Sequence, residues 1–96
     1  MFHILIAEDD TNTRKLMSAV LRQSGYEVLA AGTGTEALEL LETSQVDLLI
    51  LDIMMPGMDG YQLTERIRES GNTAPILMVT AREANGSING SRRIDD

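Results

Sequence analysis

An α/β domain with a doubly wound parallel sheet is the fold class this sequence predicts, on three observations. Two short runs, Ile4-Leu5-Ile6-Ala7 and Leu48-Leu49-Ile50-Leu51, are continuously apolar, the pattern of parallel strands buried on both faces. Segments with apolar residues at helical spacing lie between the strand-like runs, as βαβ units require. Each run also ends in acid, Glu8-Asp9-Asp10 after the first and Asp52 after the second. Ligands of open α/β sheets collect beyond the C-terminal ends of the strands, so these carboxylates are expected to share one small cleft. Crowded carboxylates need a cation or a shared proton to offset their repulsion. The cleft is therefore a candidate Mg²⁺ site, and Asp52 its candidate reactive group.

The elements follow in order. Residues 3–7 form the first expected strand. Asp10 or Thr11 can cap the next helix, where Leu16, Met17, Val20 and Leu21 recur at helical spacing and Gly25 is a natural stop. Residues 27–31 make a second strand, and Gly32-Thr33-Gly34-Thr35 a turn. A helix starting at Gly34 or Thr35 carries Ala37, Leu38, Leu40 and Leu41. Residues 46–51 are the most hydrophobic strand and so the expected centre of the sheet. Met55-Pro56-Gly57-Met58-Asp59-Gly60 is a loop in which proline fixes one backbone angle and the glycines admit conformations closed to other residues. A third helix over 61–69 buries Leu63 and Ile67, Gly71-Asn72 ends it, and Pro75 precedes a fourth strand at 76–79.

Beyond this point the pattern changes. Thr80 to Ala84 can begin a helix, but Asn85-Gly86-Ser87-Ile88-Asn89-Gly90-Ser91 is a run of turn formers. Residues 1–84 therefore read as the folded unit and 85–96 as a linker-like tail.

Composition narrows the function classes. Ninety-six residues make one domain. A net charge of -7, from 15 acidic and 8 basic residues, disfavours direct binding to nucleic acid or an anionic membrane. Cysteine is absent, which excludes disulfides and thiolate metal sites. Neither a secretion signal nor a membrane-length apolar run is evident. The expectation is a soluble cytoplasmic protein.

Three blocks carry a family resemblance: Ile-Leu-Ile-Ala-Glu-Asp-Asp at 4–10, Asp-Leu-Leu-Ile-Leu-Asp-Ile-Met-Met-Pro-Gly-Met-Asp-Gly at 47–60, and Pro-Ile-Leu-Met-Val-Thr-Ala-Arg at 75–82. Together and in order they resemble the receiver domain of two-component response regulators, of the type that carries a winged-helix DNA-binding half. The resemblance implies a flavodoxin-like sheet of strand order 2-1-3-4-5. It also implies that Asp52 accepts a phosphoryl group from a sensor histidine kinase. Glu8 and Asp9 would hold Mg²⁺ with Asp52 and the backbone carbonyl of Met54. Thr80 would be the switch hydroxyl, with Ala81 leaving it space to move. On this reading the chain is a phosphoryl acceptor and not an enzyme.

The family also uses a lysine at the end of a fifth strand, whereas the only lysine here is Lys15 in the first helix. The fifth strand and fifth helix are expected to be absent, leaving an incomplete receiver impaired in phosphorylation. The fourth strand then becomes an edge that invites pairing, with a homodimer, a higher oligomer or a complementary fragment as its cover. The alternative function is a non-signalling structural or engineered fragment that associates through that strand. Plainer roles exist for each site residue: Asp52 as a strand-end cap, Glu8 and Asp9 as acids favoured by the helix dipole, and Thr80 with Glu83 as a capping box. Asp10 is expected to cap the helix or to support the other acids by hydrogen bonding.

Overall fold

The computed structural model describes residues 1–79 and the strand Arg92–Arg93. The elements are β1 (His3–Ala7), α1 (Thr11–Gln23), β2 (Glu27–Ala31), α2 (Gly34–Thr43), β3 (Leu48–Asp52), α3 (Gly60–Glu69), β4 (Ile76–Val79) and β5 (Arg92–Arg93). They form one sheet of order β2-β1-β3-β4-β5, in which β1 to β4 are parallel. Four parallel strands and three helices in this order make the receiver-like, flavodoxin-like fold that the sequence predicts.

Alternation along the strands divides the core. Leu5 and Ala7 of β1 join Leu49 and Leu51 of β3, Ile76 and Met78 of β4, and Ala37, Leu63 and Ile67 from α2 and α3. Ile4 and Ile6 turn the other way, to Val28 and Ile50, where Met17 and Leu21 of α1 cover them. Successive side chains of a strand point to opposite faces, so a continuous apolar run is what a sheet with helices on both sides demands.

Local chemistry sets the helix ends. Asp10 caps α1, accepting from the Thr13 amide at 2.8 Å and the Thr13 hydroxyl at 2.7 Å. Thr33 caps α2 by accepting from the Glu36 amide at 3.0 Å. Asp59 and Gln62 exchange bonds in a capping box at the start of α3. Gly25 and Gly71, with φ of +98° and +90°, turn the chain out of α1 and α3.

Three expectations need correction. β3 begins at Leu48 and not at residue 46: the Asp47 amide still donates to the His3 carbonyl at 2.8 Å, but the His3 amide turns to the Asp47 side chain at 2.8 Å, so the backbone pairing is incomplete there. Leu16 and Val20 do not pack on the sheet: they are 66% and 53% exposed. Residues advance roughly 100° round a helix, and the face carrying Met17, Ser18 and Leu21 points away from them. Finally, β4 is not a bare edge. Arg92–Arg93 pairs antiparallel with Leu77 and Met78, and Ile76 and Met78 are buried. Among the described residues there is no parallel fifth strand and no fifth helix. Most of the linker-like tail, with the helix start at residues 80–84, lies outside them. None of the described helices is long and apolar enough to cross a membrane.

Ser18 is the one polar fault beneath α1. It is 4% exposed, and its hydroxyl has no hydrogen-bond partner among the described residues. A buried hydroxyl left unpaired is destabilising. Ser18→Ala should therefore gain about 1 kcal/mol and raise the thermal midpoint by about 4–8 °C, as followed by circular dichroism. A lowered midpoint would show that the hydroxyl is partnered in solution.

Candidate functional site

The site is built by the pairing of β1 with β3. Ala7 stands opposite Leu51, so Glu8, the first residue past β1, comes out beside Asp52, the last residue of β3. The Glu8 amide still bonds to the Ala31 carbonyl at 3.0 Å, which continues the β1–β2 pairing into the acidic segment. Glu8 and Asp52 are 3% and 1% exposed, and Asp9 is half-buried. One carboxylate oxygen from each of Glu8, Asp9 and Asp52 lies within 4.8 Å of the others. The cluster expected from sequence is thus assembled, apart from Asp10, which caps α1 and lends its amide to Glu8 Oε2 at 3.0 Å.

The loop after β3 is drawn tightly under Asp52. The Met54 amide donates to Asp52 Oδ1 at 3.2 Å, the Ile53 amide to the Val79 carbonyl at 2.9 Å, and the Gly60 amide to the Ile53 carbonyl at 3.0 Å. Gly57 holds a φ of +83°, the freedom expected of it. Gly60 is needed for a different reason. A Cβ there would stand 2.6 Å from the Asp52 carbonyl oxygen, 2.8 Å from Met78 Cε and 3.0 Å from Ile53 Cα. The start of α3 can sit against the strand end only because residue 60 has no side chain. Of the two methionines after β3, Met55 is buried and Met54 is 55% exposed.

Crowding shows in the protonation of Glu8. Burial pushes its carboxyl from 4.5 up to about 7, aided by the Asp52 and Asp9 charges and a hydrogen bond with Asp52, and opposed by the Asp10 amide. Burial and like charge both disfavour the ionised form. A proton shared between Glu8 and Asp52 is one way to relieve this; a divalent cation is the other.

Two residues beside the site carry no sequence motif. The Arg14 guanidinium, on α1, donates from Nη1 to the Glu8 carbonyl at 2.8 Å and reaches the Asp9 carbonyl at 3.5 Å. Gly32 sits against it, with 3.1 Å between the position of a Cβ and Nη1. The available signal was a charged residue on the same face of α1 as Met17, Ser18 and Leu21. Elsewhere, a cleft of about 560 Å³ between α2 and α3, lined by Leu38, Leu41 and Arg66 among others, gathers no comparable cluster. Thr80 lies outside the described residues, just past the Val79 carbonyl that receives the Ile53 amide.

A family model described as the response regulator receiver domain matches residues 4–91. The chain belongs to the response regulator receiver family. This receiver is 44% identical over 81 residues to the probable transcriptional regulator ycf27 of Cyanidium caldarium, covering 84% of this chain and 32% of that protein. It is 41% identical over 78 residues to the sensor histidine kinase RcsC of Escherichia coli, covering 81% of this chain and 8% of the kinase. Among solved structures it is similar to the response regulator protein TrrA from Thermotoga maritima in complex with Mg(2+)-BeF. There the TM-score is 0.80, with 38% identity over 86% of this chain and 72% of that chain. The receiver thus spans about a third of the length of ycf27 and less than a tenth of RcsC.

Two outcomes are expected. Between pH 4.5 and about 7 the folded receiver holds a proton on Glu8 that the unfolded chain has released. In chelator its stability should therefore be greatest at the low end of that window and fall as pH rises through 7, by on the order of 1–3 kcal/mol. Urea melts at several pH values check this, with Glu8→Gln removing the slope; a flat wild-type profile would contradict the assignment. Gly60→Ala should cost about 1–3 kcal/mol by overpacking, read as a lower urea midpoint. An unchanged midpoint would mean that the loop moves aside for the methyl group.

Proposed function

We propose that this receiver takes a phosphoryl group onto Asp52 from the phosphohistidine of a sensor histidine kinase, using Mg²⁺. The observation that carries the reading is the convergence of Glu8, Asp9 and Asp52 within 4.8 Å at the ends of adjacent parallel strands. The family membership supports it, as does the complex of TrrA with Mg(2+)-BeF. The kinase RcsC and the regulator ycf27 among its relatives fit a role in two-component signalling.

The donor set suits the ion. Mg²⁺ takes hard oxygen ligands, usually one or two carboxylates and retained waters, and every side chain in the cluster offers oxygen and nothing softer. Glu8, Asp9 and Asp52 would hold it, with the Met54 carbonyl as a further oxygen. Bound there, it would neutralise charge on the carboxylates and on the phosphoryl oxygens.

The chain's own residues supply the rest. An oxygen of the Asp52 carboxylate forms the new P–O bond as the P–N bond to the donor imidazole breaks. The imidazole leaves with the electron pair and takes up a proton, and Asp52 becomes an acyl phosphate. Positioning is most of what phosphoryl transfer asks of a protein. The Met54 amide orients Asp52 through Oδ1, and the Asp10 amide orients Glu8 through Oε2. Thr80, next in the chain after β4, is proposed as the hydroxyl that turns to the phosphoryl group. Assembly through β4 has less support, because β5 already pairs with Leu77 and Met78.

Intact-mass spectrometry after incubation with acetyl phosphate and Mg²⁺ tests the reading. The wild type should gain one phosphoryl group, and Asp52→Asn none. Chelation should stop the gain, and Asp9→Asn should slow it about 10-fold or more. Equal labelling of wild type and Asp52→Asn would sink the assignment.

A further inference from the structure

Arg14 occupies an unusual place for a charged side chain. It lies on the inward face of α1, and both hydrogen bonds of its guanidinium go to main-chain carbonyls, those of Glu8 and Asp9. It forms no ion pair among the described residues. Gly32 lies against the same end of the guanidinium, where a Cβ would stand 3.1 Å from Nη1 and 3.6 Å from Cζ. Gly32 is held in turn by its amide, which donates to Glu36 Oε1 at 2.8 Å. The guanidinium is thus seated between the acidic segment after β1 and the turn after β2.

We propose that Arg14 is a positioning residue, which fixes the peptide planes of Glu8 and Asp9 so that both carboxylates face Asp52, and that Gly32 is small in order to seat it. The proposal rests on the reading of the cluster as the metal and phosphoryl site. The orientation of the Glu8 peptide sets where the Glu8 and Asp9 side chains point. Three carboxylates this close repel one another, and the β1–α1 segment would relax by swinging outward. A tie to the carbonyls opposes that movement without occupying a carboxylate oxygen. An arginine bonded to the carboxylates themselves would instead compete with an incoming cation. Both contacts leave from Nη1, so the task needs a donor held at the end of a stiff planar group, and lysine carries the same charge on a flexible stem without that pre-organisation.

The test uses the whole chain and two readouts in Arg14→Ala, Arg14→Lys, Gly32→Ala, the double variant Arg14→Ala/Gly32→Ala, and Lys15→Ala. The first readout, in metal-free protein, is solvent exchange of the Asp10 amide by nuclear magnetic resonance, since that amide bonds to Glu8 Oε2. The second is Mg²⁺ affinity from amide shifts during titration. Loss of a group that orients metal ligands typically weakens binding 10–100-fold, so Arg14→Ala should weaken Mg²⁺ binding and speed Asp10 exchange by about 10-fold each. Lys15→Ala removes an equal charge from the same helix and should change neither, and Arg14→Lys should recover only part of the loss. Gly32→Ala should impair both readouts alone but add nothing to Arg14→Ala, because its methyl then enters vacated space.

Unchanged readouts in Arg14→Ala overturn the proposal. So does an equal effect of Lys15→Ala, which would make it a matter of net charge. Equal loss of protection at Leu49 in β3 also overturns it, since that reports general destabilisation. If the wild type shows no response to Mg²⁺, the metal reading fails, and Asp10 exchange still decides the role of Arg14.

Discussion

The parallel pairing of β1 with β3 is the constraint on which the rest of this molecule depends. Its register sets Ala7 against Leu51 and so brings Glu8 beside Asp52 at the strand ends. Residues distant in sequence become neighbours because both strands are buried on both faces and can exchange their backbone hydrogen bonds only with adjacent strands. A shift of one residue would move every apolar side chain to the wrong layer. The same burial that enforces the register also denies the acids at its end the water that would otherwise solvate them.

That tension explains much of the surrounding detail. Burial, with the charges of Asp52 and Asp9, pushes the Glu8 carboxyl up to about 7, so ionising the acidic end meets a repulsion that a divalent cation would relieve. The loops answer with backbone contacts: the Asp10 and Met54 amides each support one carboxylate, and Arg14 holds the carbonyls of Glu8 and Asp9. Gly32 and Gly60 are small at the two points where this arrangement brings other groups close. Site and scaffold are therefore not separable, because the contacts that shape the acidic cluster also begin α1 and α3.

The two flanks of the sheet differ in how they are finished. On one face α2 and α3 bury Ala37, Leu63 and Ile67 against β1, β3 and β4. On the other, α1 contributes Met17 and Leu21 and leaves Leu16 and Val20 exposed. β4 finds an outer neighbour in the antiparallel pair Arg92–Arg93. The outer row of amides and carbonyls on an edge strand is a template for further pairing, and the two-residue partner covers part of that row on β4.

The sequence by itself determined the four parallel strands, the three helices between them and the acids that end two of the strands. Those features rest on local pattern: apolar runs for β1 and β3, helical spacing for α2 and α3, and the capping side chain Asp10 beside the glycines that stop helices. The candidate ligands Glu8, Asp9 and Asp52 were legible for the same reason, since an acid directly after a buried parallel strand can only emerge at one edge. Tertiary structure alone decided which apolar face of α1 is buried, the pairing of Arg92–Arg93 with β4, and the seating of Arg14 on Gly32. It also decided that Gly60 is required for close approach and not for an unusual backbone angle. Each of these depends on which groups meet across long sequence separations, and a one-dimensional pattern carries periodicity but not the distance between two surfaces.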